Sequence, residues 1–204
     1  MQMETFNCIL DGFPTSYKGY PLNTDFKVGI LISTLFNEKE LNEGEKMLKA
    51  FDLLYAEEVP NTLDVAMAGL KWFLSCGRSE WRYADGFEEE TSNEPCIDYD
   101  ADSLDIWGAF WARGINLCTA KMHWFAFISA LKNLGDCPLT QKMSYRGINT
   151  SKLKGETKKH YEELKNEYKI RERVSVDEYE EMMEEKAEHY GSYWANYQRQ
   201  LNGK

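Results

Sequence analysis

No apolar run in this chain approaches the roughly 20 residues that a helix needs to cross a bilayer, so a membrane-spanning protein is not expected. Positive charge is in short supply. Lys and Arg number 24 against 34 Asp and Glu, for a formal net charge of −10 and a pI near 4.9. Nucleic-acid binding rests on clustered cations facing phosphates, and docking on anionic lipid needs the same sign of charge. Neither partner is expected. The opening "MQMETFNCILDGF" has an early acid and no basic segment, so no secretory signal is expected either. Cysteine is sparse: Cys8, Cys76, Cys96, Cys118 and Cys137 are odd in number, widely spread and form no C-x-x-C pair. They read as thiols kept reduced in a cytosol.

Motifs that carry chemistry are missing too. His123, His160 and His189 are isolated, with no second His or Cys at ligand spacing, so no zinc site is expected. His123 stands beside Trp124 in an apolar segment and reads as a partly buried, hydrogen-bonded histidine. No Walker loop, G-x-G-x-x-G or G-x-S-x-G occurs. The expectation is a protein with no cofactor, no metal and no catalytic residues.

What is present is a helical pattern. "SYKGYPLNT" places Lys18-Gly19 as the turn of a short hairpin, and Pro21 confines the second arm to an edge. Thr24 or Asp25 then caps a helix with Val28, Leu31, Ile32 and Leu35 on one stripe. Asn42 and Glu45 have capping-box spacing ahead of Met47, Leu48, Phe51, Leu54 and Tyr55. Pro60, Asn61 and Thr62 precede a stripe of Leu63, Met67, Leu70 and Leu74, with Gly77 as the stop. Leu104, Trp107, Phe110 and Trp111 form a fourth stripe ending near Gly114. Thr119 is read as the cap of a fifth helix, with Trp124, Phe127, Ile128, Leu131 and Leu134 in its core face. Gly135 closes that helix and Pro138 opens the next.

Between these elements, residues 78 to 97 lose periodicity and read as a mobile acidic loop. From Arg78 to Asp105 there are ten acids and two arginines, a difference of eight out of a net charge of ten. Asp98, Asp100 and Asp102 match the first three ligand positions of a calcium loop. However, Ser103 stands where the turn glycine belongs and Ala109 where the bidentate glutamate belongs. The expectation is therefore structural: Asp100 or Asp102 caps the following helix, and the acids favour its positive end.

After Thr150 the chain becomes highly charged, with Tyr161, Leu164 and Tyr168 as a thin stripe. A Ser175–Glu178 capping box then opens a terminal amphipathic helix. Its stripe is Tyr179, Met182 or Met183, Tyr190, Trp194, Tyr197 and Leu201. Tyr179, Met183, Tyr190, Trp194 and Tyr197 are the candidate partner-binding residues, since aromatics are enriched at interface hot spots. Docking of the stripe back onto the core is the alternative. The expected fold is all-α: a helical domain over residues 1–173 with a small N-terminal β-hairpin and the acidic loop 78–97, followed by a C-terminal helical extension over 174–204.

Three segments resemble the bacteriophage gene-product-fifteen family: "YKGYPLNTDFKVGI", "IDYDADSLDIWGAFWARGINLCTAKMHWFAFISALKNL" and "MSYRGINTSKLKGETKKHYEELKNEYKI". Order and spacing are similar over roughly residues 8 to 170. The middle segment is the most specific, with its Asp-x-Asp-Ala-Asp start, aromatic helix, Gly-Ile turn and His-Trp helix. That family's genes lie just ahead of the tape-measure gene of tailed phages. The resemblance implies a tail assembly chaperone in the host cytoplasm that binds the tape-measure protein and assists the tail-tube protein around it. Self-association stays open, and a virion structural component of the tail or connector is the alternative. The chain departs from the family in the length and acidity of residues 78–97 and in its extension beyond Arg173.

Overall fold

The computed structural model describes residues 6–78, 95–171 and 176–202. Side chains at 176, 188–190, 192–197 and 200–202 lie outside that description. The expected acidic loop falls mostly on 79–94, and Ser175 of the expected capping box on 172–175, both outside the described residues.

The hairpin forms as its turn chemistry dictates. Strand β1 (Ser16–Tyr17) pairs antiparallel with β2 (Tyr20–Pro21), with Tyr17 opposite Tyr20. Lys18 and Gly19 have φ of 49° and 86°, the two positive values that a type I′ turn requires. The chain leaving β2 is then held on both sides by backbone bonds. The Asn23 amide donates to the Leu54 carbonyl at 2.7 Å and the Ala56 amide to the Pro21 carbonyl at 3.1 Å. Further along, the Phe26 amide donates to the Met122 carbonyl at 2.9 Å and the Trp124 amide to the Thr24 carbonyl at 2.8 Å. One extended segment thus satisfies backbone groups at a helix end and a helix start that would otherwise be left unpaired.

Eight α-helices follow among the described residues. They are α1 (Phe26–Phe36), α2 (Glu43–Leu54), α3 (Leu63–Leu74), α4 (Ser103–Trp111), α5 (Trp124–Lys132), α6 (Pro138–Gly147), α7 (Gly155–Glu167) and α8 (Val176–Asn202), with a 3-10 turn at Thr150–Lys152 before α7. The all-α architecture with an N-terminal hairpin and C-terminal helices is therefore the observed one. The local signals hold in several places. Asp25 caps α1 by accepting from the Lys27 amide. Asn42 and Glu45 form both bonds of the capping box. Gly77 takes φ of 70° and donates to the Trp72 carbonyl, ending α3. Pro138 sits in the first turn of α6, and Gly135, with φ of 67°, lies beyond the end of α5. No helix among the described residues is long and apolar enough to cross a membrane.

The core is centred on α5. Trp124, Phe125, Phe127 and Leu131 are all buried. Phe127 stacks on Phe26 of α1 at 5.0 Å and on Phe110 of α4 at 5.3 Å. Trp124 stacks on Phe73 of α3 and meets Tyr99 edge-on, each at 6.0 Å. The indole of Trp124 lies flat against α1 at Gly29, where an added Cβ would come within 2.2 Å of its ring. Only glycine admits the ring at that point.

Four expected core stripes are rotated. Leu31, Leu48, Leu63, Met67, Leu104 and Trp111 were expected inside and are exposed. The buried faces are instead Phe26, Val28, Gly29 and Ile32 on α1; Ala50, Phe51 and Leu54, with the Lys46 stem, on α2; Ala66, Gly69, Leu70 and Phe73 on α3; and Ile106, Ala109 and Phe110 on α4. Small residues in the buried faces let large neighbours approach. At Gly69, for instance, an added Cβ would lie 2.2 Å from the Tyr55 hydroxyl oxygen, which donates to the Ala66 carbonyl.

The chain divides into two compact units, Met1–Asn37 with Leu41–Ile170, and Glu38–Glu40 with Arg171–Lys204. Helix α8 belongs to the second.

Candidate functional site

The acids ahead of α4 are placed by partners far away in sequence. Asp98 accepts at one carboxylate oxygen from the Asp100 and Ala101 amides, at 2.9 and 3.0 Å, and so shapes the turn into the helix. Asp102 occupies the N-cap position but makes no side-chain cap bond. Its carboxylate, 1% exposed, turns inward to Arg146 of α6. Nη1 and Nη2 of Arg146 donate to its two oxygens at 2.5 and 3.0 Å, and the Asp98 amide adds a third bond at 3.0 Å. Asp102 thus stands at the N-cap as expected, but its side chain is committed to the guanidinium instead of the first-turn amides.

Arg146 is a hub. Beyond Asp102, its Nε donates to the Tyr168 carbonyl at 2.5 Å and its Nη1 to the Cys96 carbonyl at 3.2 Å. One side chain therefore ties together the segment before α4, the start of α4, and the residue after α7. Lys142, one turn earlier on α6, contacts Asp102 at 3.5 Å and pairs closely with Asp105. Burial alone would push the Asp102 carboxyl up. The Arg146 hydrogen bonds, the Asp98 amide and the charges of Arg146 and Lys142 outweigh it and hold the group below the usual carboxylate range. The close bond to Asp105 pushes Lys142 the other way, above the ordinary ammonium value. Two acids facing two bases leave these charges committed to one another.

His123, expected to be partly buried and satisfied, is so. It caps α5 through Nδ1, which accepts from the Phe125 amide at 3.0 Å, while Nε2 lies 3.0 Å from the Pro14 carbonyl. The two bonds call for the neutral tautomer protonated on Nε2. Burial pushes its pKa down, against the opposing effect of the Pro14 carbonyl. Thr119, the expected cap, lies in a turn ahead of the helix instead. Phe13 stacks on the imidazole at 5.0 Å. An open groove of about 430 Å³ runs beside this point, along Asn23, Thr24 and Asp25 against Lys121 and Met122.

No group of three His, Cys, Asp or Glu side chains able to hold a metal occurs among the described residues. All five cysteines are among those residues, and none forms a disulfide.

The candidate partner-binding residues lie on α8. Tyr179 is 54% and Met183 44% exposed, with Met182 exposed beside them. Tyr190, Trp194 and Tyr197 belong to the same helix, and their side chains lie outside those described. Every described side chain from Asp177 to Ala187 is exposed. Acids dominate this stretch, with Asp177 and Glu178 in the first turn and Glu180, Glu181, Glu184 and Glu185 after it. Sequence reasoning missed Arg146 and Lys142. Each is an ordinary base on a short helix, and nothing local marks either as the partner of an acid some 40 residues earlier.

Helices packed around a central aromatic helix, entered through a zipped hairpin and pinned by a buried Asp–Arg pair, define the class: an all-α protein with an N-terminal β-hairpin. Its family follows from comparison. The model of the Bacteriophage Gp15 protein family matches residues 10–170, and the chain belongs to that family. It is a bacteriophage protein. Among curated proteins and among solved structures, nothing matches it.

Proposed function

We propose that the protein is a tail assembly chaperone, acting in the host cytoplasm without catalysis. It binds the tape-measure protein while the tail-tube protein assembles around it. Family membership over residues 10–170 is the observation that carries this reading. The place of the family's genes, ahead of the tape-measure gene, supplies the partner. The exposed stripe begun by Tyr179 and Met183 supplies the candidate surface. A tape-measure protein is long, helical and prone to associate before assembly. A helix offering apolar residues among acids can cover its stripes reversibly, and like charge keeps loaded complexes apart.

The test is co-purification from infected cells. The full chain should bring down the tape-measure protein, and Tyr179→Glu with Met183→Glu should weaken the capture. Purified phage particles should lack the protein. Its stoichiometric presence there would make it a virion component of the tail or connector instead.

A further inference from the structure

We infer that the first half of α8 recognises a cationic amphipathic helix, one that carries lysines or arginines along both edges of an apolar stripe. The inference rests on the reading of α8 as a partner surface, and not on which protein the partner is. With successive residues about 100° apart around the axis, Tyr179, Met182, Met183 and Ala187 fall within an arc of about 140°. All four are exposed. Glu180 and Glu184 border one edge of that arc and Glu185 the other, with Asp177 and Glu181 behind. Lys186 is the single base from Val176 to Glu188, and it falls toward the far end of the stripe.

The charges are arranged for an external partner. Residues four apart are neighbours on the surface of a helix, and like charges there destabilise it. In α8, Asp177 with Glu181, Glu180 with Glu184, Glu181 with Glu185, and Glu184 with Glu188 all have that spacing. Lys186 relieves none of them, since Met182, Met183, His189 and Tyr190 stand three and four residues from it. Helix α7, also rich in charge, is built the other way. There Lys158 meets Glu162 at 3.6 Å and Lys159 meets Glu163 at 3.9 Å, each one turn on. Acids needed only for solubility would be better placed in the pattern of α7.

The occupant follows from charge complementarity. A helix laid along the stripe buries Tyr179, Met182 and Met183 against its own apolar residues, and that contact holds it in place. Its edges then lie opposite Glu180 and Glu184 on one side and Glu185 on the other. Acidic edges would set like charges face to face. Lysine or arginine there pairs across the contact and relieves the repulsion within α8 at the same time. The same signs oppose a second copy that lays its own α8 alongside in register. From His189 to Lys204 no acid occurs, so the acidic docking face is confined to the first half of the helix.

The experiment is a fluorescence-anisotropy titration of the full chain against two labelled helical peptides that share one stripe of leucines at i, i+3, i+4 and i+7. One peptide carries lysine at the flanking positions and the other glutamate. The leucine–lysine peptide should bind, and about tenfold or more tightly than the leucine–glutamate peptide. Glu180→Gln with Glu184→Gln and Glu185→Gln should weaken that binding about tenfold, and α8 should stay helical because like-charge neighbours have been removed. Met182→Ser with Met183→Ser should weaken it as well. Asp52→Asn with Glu57→Gln and Glu58→Gln, which removes as many charges from exposed sites elsewhere, should bind as the unmodified chain. Unchanged circular dichroism would show that each variant is folded. Equal weakening by the Asp52, Glu57 and Glu58 variant would overturn the inference, since the peptide would then read net charge alone. So would equal affinity for the two peptides, or unchanged binding by either α8 variant. A change in the sedimenting mass of the chain alone when the α8 acids are replaced would also overturn it, because a second copy would then be the occupant. Failure to capture the tape-measure protein would remove that partner only, and the peptide titration would still decide this inference.

Discussion

Asp102 and Arg146 show how a charged pair can be structural. Taking both ions out of water is costly, and their attraction repays it only when all the hydrogen bonds are made. Here Asp102 receives both guanidinium bonds and the Asp98 amide, while Arg146 also spends Nε on Tyr168 and Nη1 on Cys96. Arg146→Met leaves a buried carboxylate with its main partner gone. Urea unfolding should show a loss of about 3–5 kcal/mol. Asp102→Leu combined with Arg146→Met should recover most of that, because the uncompensated charge is gone. If the double variant is as unstable as the single one, the tie to Tyr168 and Cys96 matters more than the pair itself. A second residue-scale test concerns Gly29, where the Trp124 ring leaves no room for a Cβ. Gly29→Ala should destabilise by roughly 1–3 kcal/mol through overpacking, although alanine is the better helix former. A stabilised variant would mean that α1 and α5 can part without cost.

Helix faces are where the sequence was hardest to read, and the reason is physical. Capping and stopping signals are local, so Asn42 with Glu45, the Lys18-Gly19 turn, Gly77 and Pro138 all work as their chemistry demands. A buried face is chosen by what packs against it. On α3 the stripe Leu63, Met67, Leu70 and Leu74 competes with Ala66, Gly69, Leu70 and Phe73, and both satisfy helical spacing. The larger aliphatics win any count of hydrophobicity, yet the small residues lie inside because aromatic groups elsewhere need space. The Asp102–Arg146 contact was illegible for a similar reason: it spans 44 residues and has no local signal. On α4 the two faces can be separated by measurement. Leu104→Ala, at an 82% exposed site, should change stability by less than about 0.5 kcal/mol. Phe110→Ala, fully buried against Phe127, should cost roughly 3–5 kcal/mol. Similar losses at both would place the helix in its other orientation.

For the molecule as a whole, two of the described groups, His123 and Asp102, make stability fall on the acid side. His123 has a folded pKa below its ordinary 6.5, so the unfolded chain binds the proton more readily. Its contribution is fully present above 6.5 and is lost as pH falls through the depressed value. Asp102 follows the same sign from its ordinary 3.8, so its contribution is lost later. Melting followed from pH 7 downward should therefore decline in two stages, and His123→Ser, which keeps a capping oxygen, should abolish the first. A first stage that survives this variant would belong to another group. The remaining whole-molecule question is what α8 does, and truncation separates folding from binding. All the buried residues identified lie between Leu22 and Arg146, and the Tyr168 carbonyl that Arg146 uses lies in the first unit, which ends at Ile170. A chain ending at Arg173 retains every one of these contacts. Its melting temperature should move by less than about 2 °C, the smallest shift that 1 kcal/mol produces in a chain of this size. Capture of the tape-measure protein should fall sharply, because Tyr179, Met183 and the rest of the stripe are gone. A large drop in melting temperature would instead show that α8 supports the core, and unchanged capture would place the partner surface within residues 1–173.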